Sequence, residues 1–338
     1  MMNRIIYIHS NILTICCYQT VKECLERGEK VIIITNRGCT FPFFEGRVMV
    51  YDFAKIFQGE DKDRLALHNL KALKDYLRYR KYLAHLHRVV KNIISNEDFI
   101  FYMPSMAMVM TKVFAYHKNC KGYYYVDEGY LAYSSPEILK RYIPDKKLYF
   151  LKTLLGIEVH YHLEITPKFK GTVSITKEAF SWNNKERIVN PIDNYTNEVK
   201  GGIPFFNDVI ITDYLSQEYD VLTKCIDFAT DQILQDSPNS KVGIKIHPHA
   251  ITYNKEKTIA FKRHIEERYA GSVTLIPTDV SIEVMSLVHH PNLYSLLEVS
   301  SIILYALLFK SSKTALIDFK DDVVTIRDIT SIEESMQM

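Results

Sequence analysis

Short apolar runs alternate with helical stretches along this chain, and the alternation starts twice. The first start is RIIYIH at residues 4–9, which has the length and β-branched content of a buried strand. A helical stretch follows over residues 12–27, with Glu26-Arg27-Gly28 as its stop signal, and VIIIT at 31–35 is the next strand. Strand, helix and strand at this spacing open a βαβ unit, and such units build parallel sheets. No GxGxxG lies between them, so the dinucleotide fingerprint is absent. Further strands are expected at 98–103 and 122–126, helices at 63–94, 135–142 and 146–155, and short β-like runs at 160–165 and 171–175.

Residues 182–202 (WNNKERIVNPIDNYTNEVKGG) break the pattern, being rich in Asn, charge, Pro and Gly, and read as a linker. The alternation then restarts. Strands are expected at 208–211, 242–246, 273–277 and 293–298, helices at 214–234, 258–269 and 281–288, then an apolar helix to Phe309, a core strand at 314–317 and a polar tail. A chain of 338 residues is comfortable for two cores. The expectation is α/β: two Rossmann-like halves, 1–190 and 203–338, facing an interdomain cleft, with the last residues free to pack back on the first half.

Composition narrows the classes. Apolar residues make up 47% of the chain, as in soluble globular proteins, and a net charge of +2 gives no electrostatic demand for nucleic acid. The six cysteines form no CxxC pair and no His spacing completes a zinc site, so a reducing, cytoplasmic setting is expected. MMNRIIYIHSN lacks the features of a signal peptide, and the apolar run at 302–309 is too short to span a bilayer. The 63–94 helix carries Lys71, Lys74, Arg78, Arg80, Lys81, Arg88 and Lys91 away from its apolar face. That is either a solvated basic face or a peripheral contact with an anionic acceptor or the inner membrane surface.

The chemistry-bearing residues cluster where strands end. In KVGIKIHPH (241–249), Val242, Ile244 and Ile246 alternate as a short strand does, and Pro248 fixes the backbone so that His247 sits just past its carboxyl end. Ligands bind at that edge of open α/β sheets. His247 is either a hydrogen-bonded surface residue or a group that protonates a leaving phosphate, with Lys245 adding charge from the same strand face. Asp127-Glu128-Gly129 follows the aromatic strand YYYV, and adjacent acids on an extended chain point opposite ways, so one can face a cleft as general base. Ser300-Ser301 opens the apolar helix, where hydroxyls and free N–H groups either cap the helix or hold a phosphate. Glu283, in the first turn of its helix, either complements the helix dipole or accepts from two sugar hydroxyls of a nucleotide. Asp213, after the strand at 208–211, is a reserve acid whose plain reading is an N-cap. His160-x-His162 and the second pair, His290-Pro291, read as structural and as a loop.

The order Asp-Glu-Gly, Lys-x-His-Pro, helix-borne Glu, Ser-Ser resembles the D/E-D/E-G, HP and S/T motifs of bacterial sialyltransferases, of the lipooligosaccharide and capsule polysialyltransferase types. RIIYIHSN also looks like those families' first strand and loop. The resemblance implies a GT-B glycosyltransferase fold and an inverting transfer of sialic acid, or a related nonulosonic acid, from a CMP-activated donor. The acceptor it implies is an oligosaccharide, lipid-linked or not, such as a terminal galactose of a bacterial surface glycan. By position, Asp127 or Glu128 is the base, with Asp127 favoured. His247 in its pair with Pro248 acts on the donor phosphate, Ser300 and Ser301 bind it, and Glu283 holds the ribose. No cofactor and no essential metal are expected, since a monophosphate leaving group carries less charge than a diphosphate and no DxD-type site is present. CMP-Kdo, UDP- or GDP-sugar transfer, sugar-nucleotide epimerisation and non-catalytic glycan or nucleotide binding are the competing expectations.

Overall fold

The computed structural model describes residues 2–36, 39–57, 71–106, 108–134, 163–212, 218–247, 250, 254–277, 280–298, 300–311 and 313–337, with 71–79, 301, 333, 336 and 337 described by backbone alone. The chain divides into two compact units, Met1–Tyr195 and Thr196–Met338.

The first unit is built on β1 (Asn3–Ile8), α1 (Asn11–Glu26), β2 (Val31–Thr35), β3 (Val48–Asp52), α2 (Phe53–Ile56), α3 (Lys71–Ile94), β4 (Phe99–Met103), α4 (Val109–Tyr116), β5 (Cys120–Val126), α5 (Tyr130–Tyr133), β6 (Phe169–Ser174) and β7 (Glu186–Val189). Its seven strands run parallel in the order β3-β2-β1-β4-β5-β6-β7. The strand order reverses at β1, which pairs with β2 on one side and β4 on the other. Ile5, Ile6, Tyr7 and Ile8 of β1 are all fully buried, because elements cover both faces of a parallel sheet. Each such Ile contributes about 1.5–3 kcal/mol of burial.

A short helix, α6 (Asp193–Val199), spans the boundary. The second unit contains β8 (Asp208–Thr212), α7 (Tyr219–Asp236), β9 (Val242–Lys245), α8 (Lys255–Arg268), β10 (Val273–Leu275), α9 (Ile282–His289), β11 (Asn292–Leu296), α10 (Ser301–Leu308), β12 (Thr314–Lys320), β13 (Val323–Asp328) and α11 (Ile332–Gln337). The sheet order is β10-β9-β8-β11-β12-β13, parallel except for the final β12–β13 hairpin. Asp321 and Asp322 close that hairpin at φ 51° and 62°, the positive φ pair that a tight two-residue turn requires. The α/β class and the two Rossmann-like units expected of a GT-B chain are both observed.

The expected linker is corrected in part. Residues 186–189 form β7, the outer strand of the first sheet, paired in parallel with β6. Its residues are largely exposed, which is why the stretch reads as polar. Asn190, buried behind it, donates through Nδ2 to the Cys16 carbonyl and to Thr20 Oγ1, tying the segment to α1. Residues 163–165 are not strand, and the expectations at 58–70, 135–142, 146–155 and 160–162, including His160 and His162, lie outside the described residues. β3, α4, β13 and α11 were not anticipated. His290 does close a helix, as the αL cap of α9 at φ 50°.

Gly171 on β6 passes so close to β7 that an added Cβ would lie 2.1 Å from the Glu186 carbonyl oxygen. Gly171→Ala should therefore lower unfolding free energy by about 1–3 kcal/mol in urea titrations. Gly201→Ala, with nothing within 4 Å of its Cβ position, should leave the midpoint in place.

Candidate active site

In the first unit the site grows from the carboxyl ends of β1 and β5. Val126 ends β5, and Asp127, Glu128 and Gly129 turn the chain into α5, with Gly129 at φ 116°, a conformation natural only to glycine. The two acids part here. Asp127 is fully buried. Its Oδ1 accepts from the Gly129 N–H at 3.1 Å and its Oδ2 from the Tyr133 hydroxyl at 2.9 Å. Burial, and then the neighbouring Asp127, push the Tyr133 hydroxyl upward, so it stays protonated and donates. The Cys16 thiol, bonded at 3.6 Å to the Asp127 carbonyl, is pushed up by the same two causes.

Glu128 turns the other way. Its side chain keeps 25% exposure, and Oε1 meets Nε2 of His9, the residue after β1, whose side chain is 3% exposed. The His9 ring stands beside Tyr7, with centroids 5.3 Å apart. His9 was not singled out in the sequence. Its signal was there, since Tyr-Ile-His closes β1 as Lys-Ile-His closes β9.

In the second unit the motifs share one sheet edge. Following the order β10-β9-β8-β11, that edge carries α9 with Glu283, then His247, then Thr212, then Ser300. Neighbouring strands are about 4.8 Å apart, so the strands that lead to His247 and Ser300 stand roughly 10 Å apart across β8. The His247 N–H points to Thr212 Oγ1 at 3.4 Å, and its carbonyl accepts from Ala250. Ser300 caps α10, its Oγ accepting from the Ile302 N–H at 3.3 Å. The turn before it is tight: Leu297 sits at φ 66°, the Ser295 hydroxyl donates to the Glu298 carbonyl, and Ser295 Oγ accepts from the Ser300 N–H at 3.1 Å. Glu298, a potential repellent of phosphate beside these serines, has an exposed side chain. Ser281 caps α9 and donates at 2.7 Å to Glu283 Oε2.

Lys245 takes a different place from the one expected. It is buried, and its Nζ donates to the carbonyls of Pro277 and of Val280, the latter at 2.7 Å. The ammonium thus braces the loop leading to Ser281 and Glu283. Pro248, Asp213 and the Ser301 side chain lie outside the described residues. Among the described residues no three His, Cys, Asp or Glu side chains gather as a metal site would need. An open pocket of about 440 Å³ lined by Asn207, Asp208, Ser240 and Asn292 lies at the opposite, amino-terminal edge of the second sheet. There Asp208 already accepts from Asn292, Tyr294 and Ser240.

No sequence family and no curated protein matches the chain. Among solved structures it is similar to an S. aureus MnaA–UDP co-structure, at 12% identity over 96% of this chain and 80% of that one, TM-score 0.48. It is also similar to Methanocaldococcus jannaschii UDP-GlcNAc 2-epimerase in complex with UDP-GlcNAc and UDP, at 9% identity over 98% and 86%, TM-score 0.45. A third is a sialyltransferase from Photobacterium damsela, at 11% identity over 100% and 77%, TM-score 0.47. None of these likenesses carries an activity to this chain.

The division between the acids is measurable without any activity. Asp127→Asn keeps one acceptor oxygen but sets an amide N–H₂ against one of the two donors in a closed site, and should cost about 1–3 kcal/mol in chemical denaturation. Glu128→Gln, at a partly exposed position, should stay within about 0.5 kcal/mol of the parent.

Proposed function

We propose that this protein is an inverting glycosyltransferase that moves sialic acid, or a related nonulosonic acid, from a CMP-activated donor to a glycan hydroxyl. The observation that supports the reading is positional. Asp127-Glu128-Gly129 follows the carboxyl end of β5. His247 follows β9, Glu283 rides the helix after β10, and Ser300 caps the helix after β11. Each motif of the sialyltransferase order thus falls at the ligand-binding edge of its own sheet.

The step assigned to these residues conserves atoms and charge. The acceptor hydroxyl gives its proton to Glu128, whose partly exposed carboxylate suits the role better than the enclosed Asp127. Its oxygen attacks the anomeric carbon as the bond to the donor phosphate breaks, leaving the electron pair on CMP. The transition state is oxocarbenium-like, as in glycoside hydrolysis. His247, Ser300, Ser301 and the α10 N-terminus stabilise the charge growing on the phosphate. Pro248 sets the backbone after the imidazole. Glu283 Oε1 accepts from the ribose hydroxyls, and Lys245 keeps that loop in place. The acceptor is a terminal galactose of a bacterial surface glycan.

His247→Ala should lower turnover by about 10²–10⁴-fold in a mass-spectrometric product assay with CMP-sialic acid and a galactoside panel. Transfer at the parental rate would remove the assignment. CMP should raise the melting temperature more than UDP or GDP does. Preferential stabilisation by UDP would favour a UDP-sugar enzyme instead, and stabilisation by CMP without turnover would favour a binding protein.

The same reading places the protein at an anionic membrane surface through α3, where Arg80, Lys81, Arg88 and Lys91 are exposed. No helix among the described residues is long and apolar enough to cross a membrane. Co-sedimentation with phosphatidylglycerol vesicles should vanish when these four residues become Glu. Undiminished binding of that variant would remove the membrane contact.

A further inference from the structure

His9 is an odd residue to find where it is. Its side chain is 3% exposed, directly after β1, an interior strand of a parallel sheet. Nε2 meets Glu128 Oε1, across the intervening end of β4, but Nδ1 is buried with no hydrogen-bond partner among the described residues. As a stabilising device this is poor. One bond is made to a partly exposed carboxylate, while an unpaired buried polar atom costs about 1–3 kcal/mol. What the arrangement does well is hold Glu128.

The hydrogen-bond network also assigns the proton. A proton on Nε2 is donated to the carboxylate and leaves only a lone pair unsatisfied at Nδ1. The other tautomer would set a lone pair against the Glu128 oxygen and bury an N–H without an acceptor. His9 is therefore the Nε2–H donor and Glu128 Oε1 the acceptor. Glu128 Oε2 has no partner among the described residues. Asp127 cannot exchange roles with Glu128, because both of its oxygens are taken by Gly129 and Tyr133.

We propose that His9 is the positioning residue of Glu128: its Nε2–H fixes one carboxylate oxygen so that the other is presented, in one orientation, to the hydroxyl that Glu128 deprotonates. The proposal rests on the transferase reading above for what Glu128 does, but not for how it is held. Loss of the donor lets the carboxylate swing, and misplacement of a reacting group by about 1 Å costs on the order of 10²-fold in rate.

The experiment has two arms. The first needs no turnover: ¹⁵N-labelled imidazole spectra of the intact protein should show a proton on His9 Nε2, and Glu128→Gln should move its Nε2 signal. An Nδ1–H tautomer, or a signal indifferent to Glu128→Gln, overturns the proposal. The second arm follows transfer kinetics. His9→Phe keeps ring volume without a donor and should lower kcat by about 10²-fold with KM for the CMP donor unchanged. His9→Gln restores a side-chain N–H and should recover at least about tenfold of that loss. In a Glu128→Gln background His9→Phe should cost nothing more, since the pair acts as a unit. Equal losses in His9→Phe and His9→Gln, or full additivity with Glu128→Gln, would overturn it. A parent that transfers no sialic acid removes the transferase reading and leaves the spectral arm to decide how Glu128 is held.

Discussion

Parallel strand pairing decides where chemistry can sit in this chain. A parallel pair needs a crossover, so successive strands emerge at one edge and their following loops gather there. In the first sheet this brings His9, after β1, within reach of Glu128, after β5, although they stand 119 positions apart. In the second sheet it aligns Thr212, His247 and Ser300 along one edge, with Glu283 on the helix leaving the outer strand. Among the described residues the one antiparallel strand, β13, is added at the far side of the sheet and leaves that edge as it was.

Within each motif, one charged residue builds the loop and its neighbour faces outward. Asp127 is consumed by the turn at Gly129 and by Tyr133, and this commitment is what leaves Glu128 to the surface. Lys245 and His247 divide in the same way: the ammonium is turned onto backbone carbonyls in the interior, while the imidazole stands past the strand end with intermediate exposure. Buried charge is tolerable only when hydrogen-bonded, so the enclosed member of each pair has its role fixed by its partners.

These partnerships set the limit of what the sequence could show. RIIYIH, VIIIT and DVII were readable because parallel strands covered on both faces are continuously apolar. ERIV and VVTIRD were not, because edge strands are half solvated and blend with loops. The strand-end positions of Asp127, Glu128, His247 and Ser300 followed from local pattern. Which acid turns outward did not, because it depends on where Tyr133 and His9 lie in space. The aim of Lys245 was equally hidden, since the carbonyls it meets are 32 and 35 residues further on.

That lysine links two parts of the second unit that look separable in sequence. It lies two residues before His247 on one strand, and its ammonium grips the root of the helix that carries Glu283. Strand and helix root therefore move as one body. Grafting a foreign loop at 277–281 would also shift the imidazole, so the helix root and the strand end are mechanically inherited together.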